Sequence, residues 1–157
     1  MSQKAIIIMG VSGSGKSTIG SLLAQEVGGK FFDGDDFHSP ENIAKMASGS
    51  PLNDDDRQGW LETLASLIQE EKGFIVIACS ALKASYRETL KGADFVFLNG
   101  SRELIESRLN AREDHYMPPS LLDSQFADLE APADAMSVEI DQSPEEIVRE
   151  IRKRMSL

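Results

Sequence analysis

The sequence is poor in several features, and each shortage excludes a class of protein. A single cysteine, Cys79, cannot form an internal disulfide, so we expect a reducing compartment, the cytoplasm. The longest early apolar run, residues 5–9, is far too short to span a membrane, and the start lacks the features of a secretory signal. Basic residues are scarce too: 16 Lys and Arg against 26 Asp and Glu give a formal net charge of −10, which argues against nucleic acid as a main partner.

The shortage of cations makes their positions informative. If the ligands are anions, Lys and Arg must be gathered at the binding site, because the overall field of an acidic protein does not attract anions. Most of the acidic residues are expected to form a solvated surface. With 157 residues, of which 41% are hydrophobic, we expect residues 1–157 to form a single domain with a substantial core.

Strand and helix patterns alternate along the chain. Short apolar runs predict five strands, at residues 5–9, 31–33, 74–78, 95–98 and 136–140. Helical spacing of apolar residues predicts helices between and after them, including one over 60–71 and a last one opened by a capping box at 143–146. The alternation predicts an α/β fold with a parallel sheet flanked by helices. Two long polar segments, at 34–57 and about 110–135, interrupt it and are expected to be functional.

A complete phosphate-binding loop, G-x-x-x-x-G-K-[ST], occupies residues 10–17. It follows the first predicted strand and opens a helix, which is the context that the motif requires. The glycines let several backbone N–H groups point into one concavity, and the helix adds its positive N-terminal end. We predict that Lys16 reaches the β- and γ-phosphates and that the Ser17 hydroxyl ligates Mg²⁺. The predicted nucleotide contacts in the loop are Gly10, Ser12, Gly13, Ser14, Gly15, Lys16, Ser17 and Thr18.

An acidic turn, Asp33-Gly34-Asp35-Asp36, ends the second predicted strand. In a P-loop kinase one such carboxylate holds the metal through water, and another accepts the proton of the attacking hydroxyl. By analogy with other small-metabolite kinases, we assign Asp33 to Mg²⁺ and Asp35 to the general base. Spacing leaves open whether Asp36 shares either task, and an acidic turn is also common as a solvated loop or helix cap. The guanine-reading Asn-Lys-x-Asp motif of GTPases is missing after the later strand, at residues 98–101.

Four ordered blocks of sequence resemble the gluconate kinase (gluconokinase) family. They are residues 33–61, Cys79-Ser-Ala-Leu-Lys83 with Tyr86-Arg87, Arg108-x-x-x-Arg112-x-x-His115-Tyr-Met117, and residues 121–125 with Leu129-Glu130. The departures are small: Gly59 stands where the family often has Pro, and Tyr116 where Phe is common. The resemblance implies a P-loop kinase fold of the nucleoside-monophosphate-kinase type with a mobile lid. It also implies transfer of the γ-phosphoryl group of ATP to the 6-hydroxyl of D-gluconate, and a homodimer.

The cations of the chain suit such a substrate. Gluconate carries a carboxylate at the end of a polyhydroxyl chain, so its site needs cationic groups for the carboxylate and several hydrogen-bonding groups for the hydroxyls. The predicted substrate-binding residues follow strands 2 and 3, at the strand ends where open α/β sheets bind ligands. They are Asp35, His38, Lys45, Arg57, Lys83 and Arg87. Each has a structural alternative: an ion pair or helix-start cluster for Arg57, a solvated helix face for Lys83 and Arg87, and a hydrogen bond within its own loop for His38.

Arginines and a polar segment near residue 110 suggest a lid. Arg108 is predicted to contact the nucleotide and Arg112 to offset charge on the γ-phosphoryl oxygens, although a basic outer helix face would give the same pattern. Residues 113–130 would form the lid, with a short helix capped by Ser120 and Asp123. Gln125 on that helix is a plausible contact to substrate hydroxyls. The loop at 141–144 is expected to hold the adenine ring by backbone groups.

Two other interpretations stay open. The chain could be another small-metabolite kinase on this scaffold, of the shikimate or nucleotide type, although the 33–61 block disfavours both. It could also be a non-catalytic nucleotide-binding regulator, which we would expect to have lost the metal ligand, the acid pair or the arginines.

Overall fold

A single parallel sheet forms the centre of the protein. The computed structural model describes residues 4–11, 13–50, 52–111, 119–130 and 135–157. Within them the strands are β1 (Lys4–Met9), β2 (Lys30–Asp33), β3 (Phe74–Ala78), β4 (Ala93–Asn99) and β5 (Met136–Glu139). Their order in the sheet is β2-β3-β1-β4-β5, and every neighbouring pair is parallel. The predicted five-stranded parallel sheet is confirmed, and its carboxyl-terminal edge collects the loops that follow the strands.

Helices cover both faces of the sheet, as predicted. They are α1 (Lys16–Val27), α2 (Pro40–Ala47), α3 (Asp54–Glu70), α4 (Ala84–Thr89), α5 (Arg102–Asn110), α6 (Pro119–Asp128) and α7 (Pro144–Met155). Alternation along β1 sends Ile6 and Ile8 into a core shared with α1, α5, α6 and α7, and Ile7 and Met9 into a core shared with α3. Among the described residues, no helix has the length and apolar character needed to cross a bilayer.

The segment at 34–57 is more regular than the sequence analysis expected. It contains a 3₁₀ turn (Gly34–Phe37), all of α2 and the first turn of α3. Helix α3 begins at Asp54 rather than at Trp60, where the apolar pattern starts. Asn53 and Asp56 form a capping box that begins it, and three acidic residues in the first turn interact favourably with the helix dipole. A polar first turn carries no apolar repeat, so periodicity places the start too late.

The ends of α1 and α7 confirm the sequence signals that predicted them. Helix α1 ends at Gly28, whose φ of +73° lies in the left-handed region that glycine adopts without strain. Helix α7 begins with the predicted capping box, in which Ser143 and Glu146 exchange hydrogen bonds and Pro144 takes the first helical position. The strand boundaries shift by one or two residues, β4 beginning at Ala93 and β5 ending at Glu139.

Candidate active site

The phosphate loop joins the central strand β1 to α1. Gly13 and Gly15 have φ values of +84° and +95°, which side chains rarely tolerate. A Cβ atom on Gly13 would lie 2.8 Å from Cγ of Leu109, so the loop packs directly on α5. Helix α1 begins at Lys16, whose Nζ donates a hydrogen bond to the Val11 carbonyl at 3.1 Å. The loop therefore has the curled backbone that phosphate binding requires; Ser12 lies outside the described residues.

Ser17 and Asp33, the two predicted metal ligands, lie in direct contact. The Ser17 hydroxyl donates a hydrogen bond to Asp33 Oδ2 at 2.7 Å. Oxygen donors of this kind suit Mg²⁺, which keeps several waters and binds few protein ligands beside substrate phosphates. No cluster of three or more metal-binding side chains occurs in the described part of the chain. The oxygen donors of Ser17 and Asp33 have the chemistry that a nucleotide-bound Mg²⁺ requires.

The aspartate turn after β2 is fixed from three sides. Asp33 Oδ1 accepts a hydrogen bond from the Asp35 amide at 3.0 Å. The buried indole of Trp60 donates to the Gly34 carbonyl at 2.7 Å. A Cβ atom on Gly34 would lie 2.6 Å from the Ala78 carbonyl, so only glycine fits against the end of β3. The turn is thereby held rigidly, while the carboxylate-bearing residue Asp35 is exposed.

His38 joins this turn to the cations. Its ring stacks on Trp60, with centroids 4.4 Å apart and planes tilted by 13°, and its Nδ1 lies 3.3 Å from Asn42 Nδ2. Burial lowers the pKa of His38; nearby Asp35 opposes this shift, and Arg57 adds to it. The hydrogen bond within its own segment is thus present, and direct contact of His38 with a substrate stays a prediction.

The end of β3 brings the phosphate loop and the aspartate turn together. Cys79 is fully buried there, and burial raises the pKa of its thiol to about 12. The charge of Lys16 lowers the pKa of this thiol, and Asp35 and Asp33 raise it. Each of these three charged groups is therefore close enough to Cys79 to influence its thiol. The thiol itself stays protonated at neutral pH and is a poor nucleophile.

Three of the predicted cations line one cavity beside α3. We call Lys45, Arg57 and Lys83 the cation cluster. The cavity has a volume of about 330 Å³, and its lining consists of Lys45, Leu52, Asn53, Asp54, Arg57, Lys83, Ser124 and Asp128. Each cation has a carboxylate partner: Lys45 pairs with Asp56 at 2.6 Å, Lys83 with Asp54 at 3.0 Å, and Arg57 with Asp128 at 3.3 Å. The cations converge as predicted, but acids accompany them.

Tyr86 connects two of these pairs. Its hydroxyl accepts a hydrogen bond from Arg57 Nη1 at 2.8 Å and donates one to Asp54. Burial, followed by the contact with Asp54, raises the pKa of Tyr86, whereas the hydrogen bonds from Tyr86 and Lys83 lower the pKa of Asp54. The hydrogen bond to Asp54 raises the pKa of Lys83. The network keeps Lys83 cationic and holds the Arg57 guanidinium in place.

A second cavity lies at the other end of the phosphate loop. Its volume is about 290 Å³, and it is lined by Gly13, Ser14, Gly15, Thr18, Ile19, Arg108, Gln142, Pro144 and Ile147. Arg108 Nη2 donates a hydrogen bond to the Ile140 carbonyl at 2.6 Å. This cavity joins the loop to the 141–144 segment, where the sequence analysis expected the base of the nucleotide.

Known proteins resemble this chain in sequence and in fold. A family model described as shikimate kinase matches residues 12–156. Probable gluconokinase of Mus musculus is 42% identical over 96% of both sequences. Thermoresistant gluconokinase of Escherichia coli (strain K12) is 44% identical over 90% of this chain and 87% of its own. A gluconokinase crystal structure from Sinorhizobium meliloti 1021 has a TM-score of 0.91 at 42% identity, covering 98% of this chain and 91% of that one. The chain belongs to the gluconokinase family.

The shikimate kinase model describes a wider relationship than the gluconokinase relatives do. Shikimate kinase from Aquifex aeolicus vf5 has a TM-score of 0.65 with 22% identity to this chain, a likeness that shows the fold alone. Identity to the gluconokinases is about twice as high over nearly the whole chain. The resemblance read from the sequence is thus confirmed, together with the P-loop kinase fold.

Other predicted site residues of this gluconokinase family member lie apart from the cation cluster or beyond the described residues. Arg87 donates hydrogen bonds to the carbonyls of Ala81, Leu82 and Glu130 at 2.8, 3.2 and 2.9 Å. It thus ties the loop after β3 to the segment after α6, which favours a positioning role. Gln125 lies on α6, and its contact with substrate stays a prediction. Arg112 and residues 113–118 of the predicted lid lie outside the described residues.

Four residues of the site were missed by the sequence analysis: Asp54, Asp56, Tyr86 and Asp128. From the sequence, the acids before Arg57 indicate a surface ion pair or a helix-start cluster. They do begin a helix, but two of them also hold the cation cluster. Tyr86 lies within a block that carried the family resemblance, which was the available signal. Asp128 had no signal in the sequence, because only folding brings it from α6 to Arg57 on α3.

Proposed function

We propose that this protein is a gluconokinase, which transfers the γ-phosphoryl group of ATP to the 6-hydroxyl of D-gluconate and releases 6-phospho-D-gluconate and ADP. One observation carries the proposal: the Ser17 hydroxyl of the phosphate loop donates a hydrogen bond to Asp33 Oδ2 at 2.7 Å, and Asp33 Oδ1 accepts one from the Asp35 amide at 3.0 Å. The phosphate loop therefore contacts the turn that carries the candidate base, and His38 of the same segment stacks on Trp60 of α3, the helix that also carries Arg57. The gluconokinase relatives support gluconate as the acid that this arrangement accepts.

The donor half of the reaction belongs to the phosphate loop. ATP supplies the phosphoryl group, and its phosphates are held by the loop N–H groups and Lys16. Ser17 would bind Mg²⁺ directly and Asp33 would hold it through water, and Arg108 lines the nucleotide cavity. These groups stabilise negative charge on the phosphoryl oxygens, which is the main catalytic demand of this chemistry.

The acceptor half belongs to the cation cluster and to Asp35. Lys45, Arg57 and Lys83 bind the carboxylate of gluconate, and the hydroxyls of the substrate point towards the aspartate turn. Asp35 accepts the proton of the 6-hydroxyl. The hydroxyl oxygen forms a bond to the γ-phosphorus, and the bond between the γ-phosphorus and the ADP oxygen breaks. The rigid turn holds this base in position before the substrate binds.

The test is an ADP-release assay with a panel of acceptors. We expect ADP release with D-gluconate, and little with other sugar acids, shikimate or nucleoside monophosphates. Removal of Mg²⁺ by a chelator abolishes the signal, and its restoration by added Mg²⁺ is the control. Preference for shikimate would favour the family model's description instead, and no release with any acceptor would favour a nucleotide-binding regulator.

Three further properties complete the proposal. We propose that residues 1–157 act as one kinase domain, that the protein works in the cytoplasm, and that it forms a homodimer, as the family resemblance implies. Light scattering of the purified protein tests the last point: a mass of about 34 kDa, twice that of one 17.2 kDa chain, is expected. A mass of one chain across the concentration range would contradict it.

A further inference from the structure

The cavity proposed for an anionic substrate is electrically balanced by the protein itself. Lys45, Arg57 and Lys83 each pair with a carboxylate, so three positive and three negative charges cancel. An acid that entered without displacing any of these carboxylates would bring a fourth negative charge against three cations. Binding of an anion therefore favours release of one internal carboxylate from its cation.

Two of the three carboxylates are held by other structure. Asp56 belongs to the capping box of α3 and accepts a hydrogen bond from the Asn53 amide at 2.9 Å, besides its pair with Lys45. Asp54 lies in the same first turn and is bound by both Tyr86 and Lys83. Moving either would disrupt the start of α3 or the Tyr86 network.

Asp128 has a different position. It is the last residue of α6, on an element distant in sequence from α3, and its carboxylate lies 3.3 Å from Arg57 Nη1 and 4.0 Å from Lys83 Nζ. One carboxylate oxygen thus accepts a hydrogen bond from Arg57, and the other faces Lys83 at ion-pair distance. The Arg57 side chain is only 11% exposed, so a carboxylate there meets little competition from water.

We propose that Asp128 occupies the place of the substrate carboxylate, and that an acid substrate binds by displacing it from Arg57 and Lys83. The inference rests on the proposed function. Displacement lowers the apparent affinity for every acid, because part of the binding free energy replaces an existing ion pair. The need for displacement also excludes neutral polyols, because they have no carboxylate to replace that of Asp128 beside Arg57 and Lys83. Asp128 therefore determines specificity for acids.

The experiment compares two neutralised aspartates of the same helix. Asp128→Asn removes the internal carboxylate, and Asp123→Asn is the matched control, since Asp123 pairs with Arg102 away from the cavity. Gluconate binding is measured by calorimetry for both variants and the wild type, with D-glucitol as a neutral analogue. We expect Asp128→Asn to bind gluconate about 3- to 10-fold more tightly and to discriminate less against glucitol. Asp123→Asn stays within about 2-fold of the wild type.

Each outcome decides a separate point. Unchanged or weaker gluconate binding by Asp128→Asn, in a wild type that turns gluconate over, overturns this inference alone; weaker binding would mean that Asp128 accepts substrate hydroxyls. A wild type without gluconate binding or gluconate-dependent ADP release overturns the proposed function and this inference with it.

Asp128→Glu keeps the charge, and we expect its affinity for gluconate to be near that of the wild type. If Asp128→Asn loses its folded circular dichroism, Asp128→Ser replaces it with the same expected tightening.

Discussion

Asp35 combines a fixed backbone with an exposed carboxylate. Its amide is bound by Asp33, and the Gly34 carbonyl beside it is bound by Trp60. This arrangement suits a general base, which must keep its position while its oxygens stay accessible to the substrate. The same turn carries Asp36, which is also exposed, so substitution of each aspartate assigns the base.

Substitution at the two positions separates their roles. We expect Asp35→Asn to keep ATP binding and to lower turnover by about 10²- to 10⁴-fold, because the amide cannot accept the proton. Asp36→Asn, one residue away, is the control and keeps turnover within about 10-fold. Single-turnover kinetics and nucleotide titration give the two quantities. Near-normal turnover by Asp35→Asn would sink the assignment.

His38 gives the fold a pH dependence near neutrality. Burial lowers its pKa below the ordinary value of 6.5, so the unfolded chain takes up a proton at higher pH than the folded chain does. Well above pH 6.5 the histidine is neutral in both states and its contribution is complete. As the pH falls from there through the folded-state pKa, that stability is lost. We expect the Tm of the wild type to decrease between about pH 7.5 and 5.5.

The variant His38→Asn tests this origin. It removes the titrating group, so its Tm changes less across the same pH range, even if loss of the stack on Trp60 lowers its Tm throughout. His115→Asn replaces the other histidine of the chain and is expected to keep the wild-type pH dependence. Equal pH dependence in His38→Asn and the wild type would contradict the explanation.

Two helix glycines, Gly59 and Gly28, show how backbone conformation affects the stability of a helix. Gly59 lies inside α3 and Gly28 caps α1, and a Cβ atom at either position would meet nothing within 4 Å. They differ in backbone conformation, since φ is +73° only at Gly28. Both sites therefore have room for a Cβ atom, and they differ only in whether the backbone conformation favours glycine.

Alanine at these positions has opposite expected effects. Gly59→Ala raises the free energy of unfolding by about 0.5–1 kcal/mol, because alanine loses less backbone entropy in a helix. Gly28→Ala lowers it by about 1 kcal/mol, because its Cβ is strained in the left-handed region. Denaturant titration measures both. Destabilisation by Gly59→Ala would contradict the entropic explanation.

The whole molecule carries a net charge of −10 that its ion pairs do not remove. Pairs such as Lys30–Glu71 and Arg102–Glu106 are accessible to solvent and contribute little to stability. Repulsion among unpaired carboxylates therefore opposes folding, and salt screens it.

Added salt is accordingly expected to stabilise the protein. Raising NaCl from about 0.05 to 0.5 M at neutral pH should increase Tm, by roughly 2–4 °C for each kcal/mol of repulsion removed. At about pH 5, where partial protonation reduces the negative charge, the increase should be smaller. A Tm that falls with salt at neutral pH would mean that ion pairs outweigh the repulsion.

The sequence by itself determined the sheet, most helices, the phosphate loop and the family. These depend on local signals: apolar runs for the strands, Gly28 and Ser143 at helix ends, and a motif whose residues are adjacent. Where the signal was polar, as in the first turn of α3, the apolar pattern placed the boundary at Trp60 instead of Asp54.

Only the tertiary structure decided which groups meet. Asp128 reaches Arg57 across 71 positions of sequence, and no local pattern encodes that contact. Arg87 donates hydrogen bonds to three backbone carbonyls that the sequence does not identify as its partners, and its contact with substrate stays a prediction. The physical reason is the same in both cases: ion pairs and hydrogen bonds act over a few ångströms, so their partners are fixed by how α3, α4 and α6 pack, and not by their order along the chain.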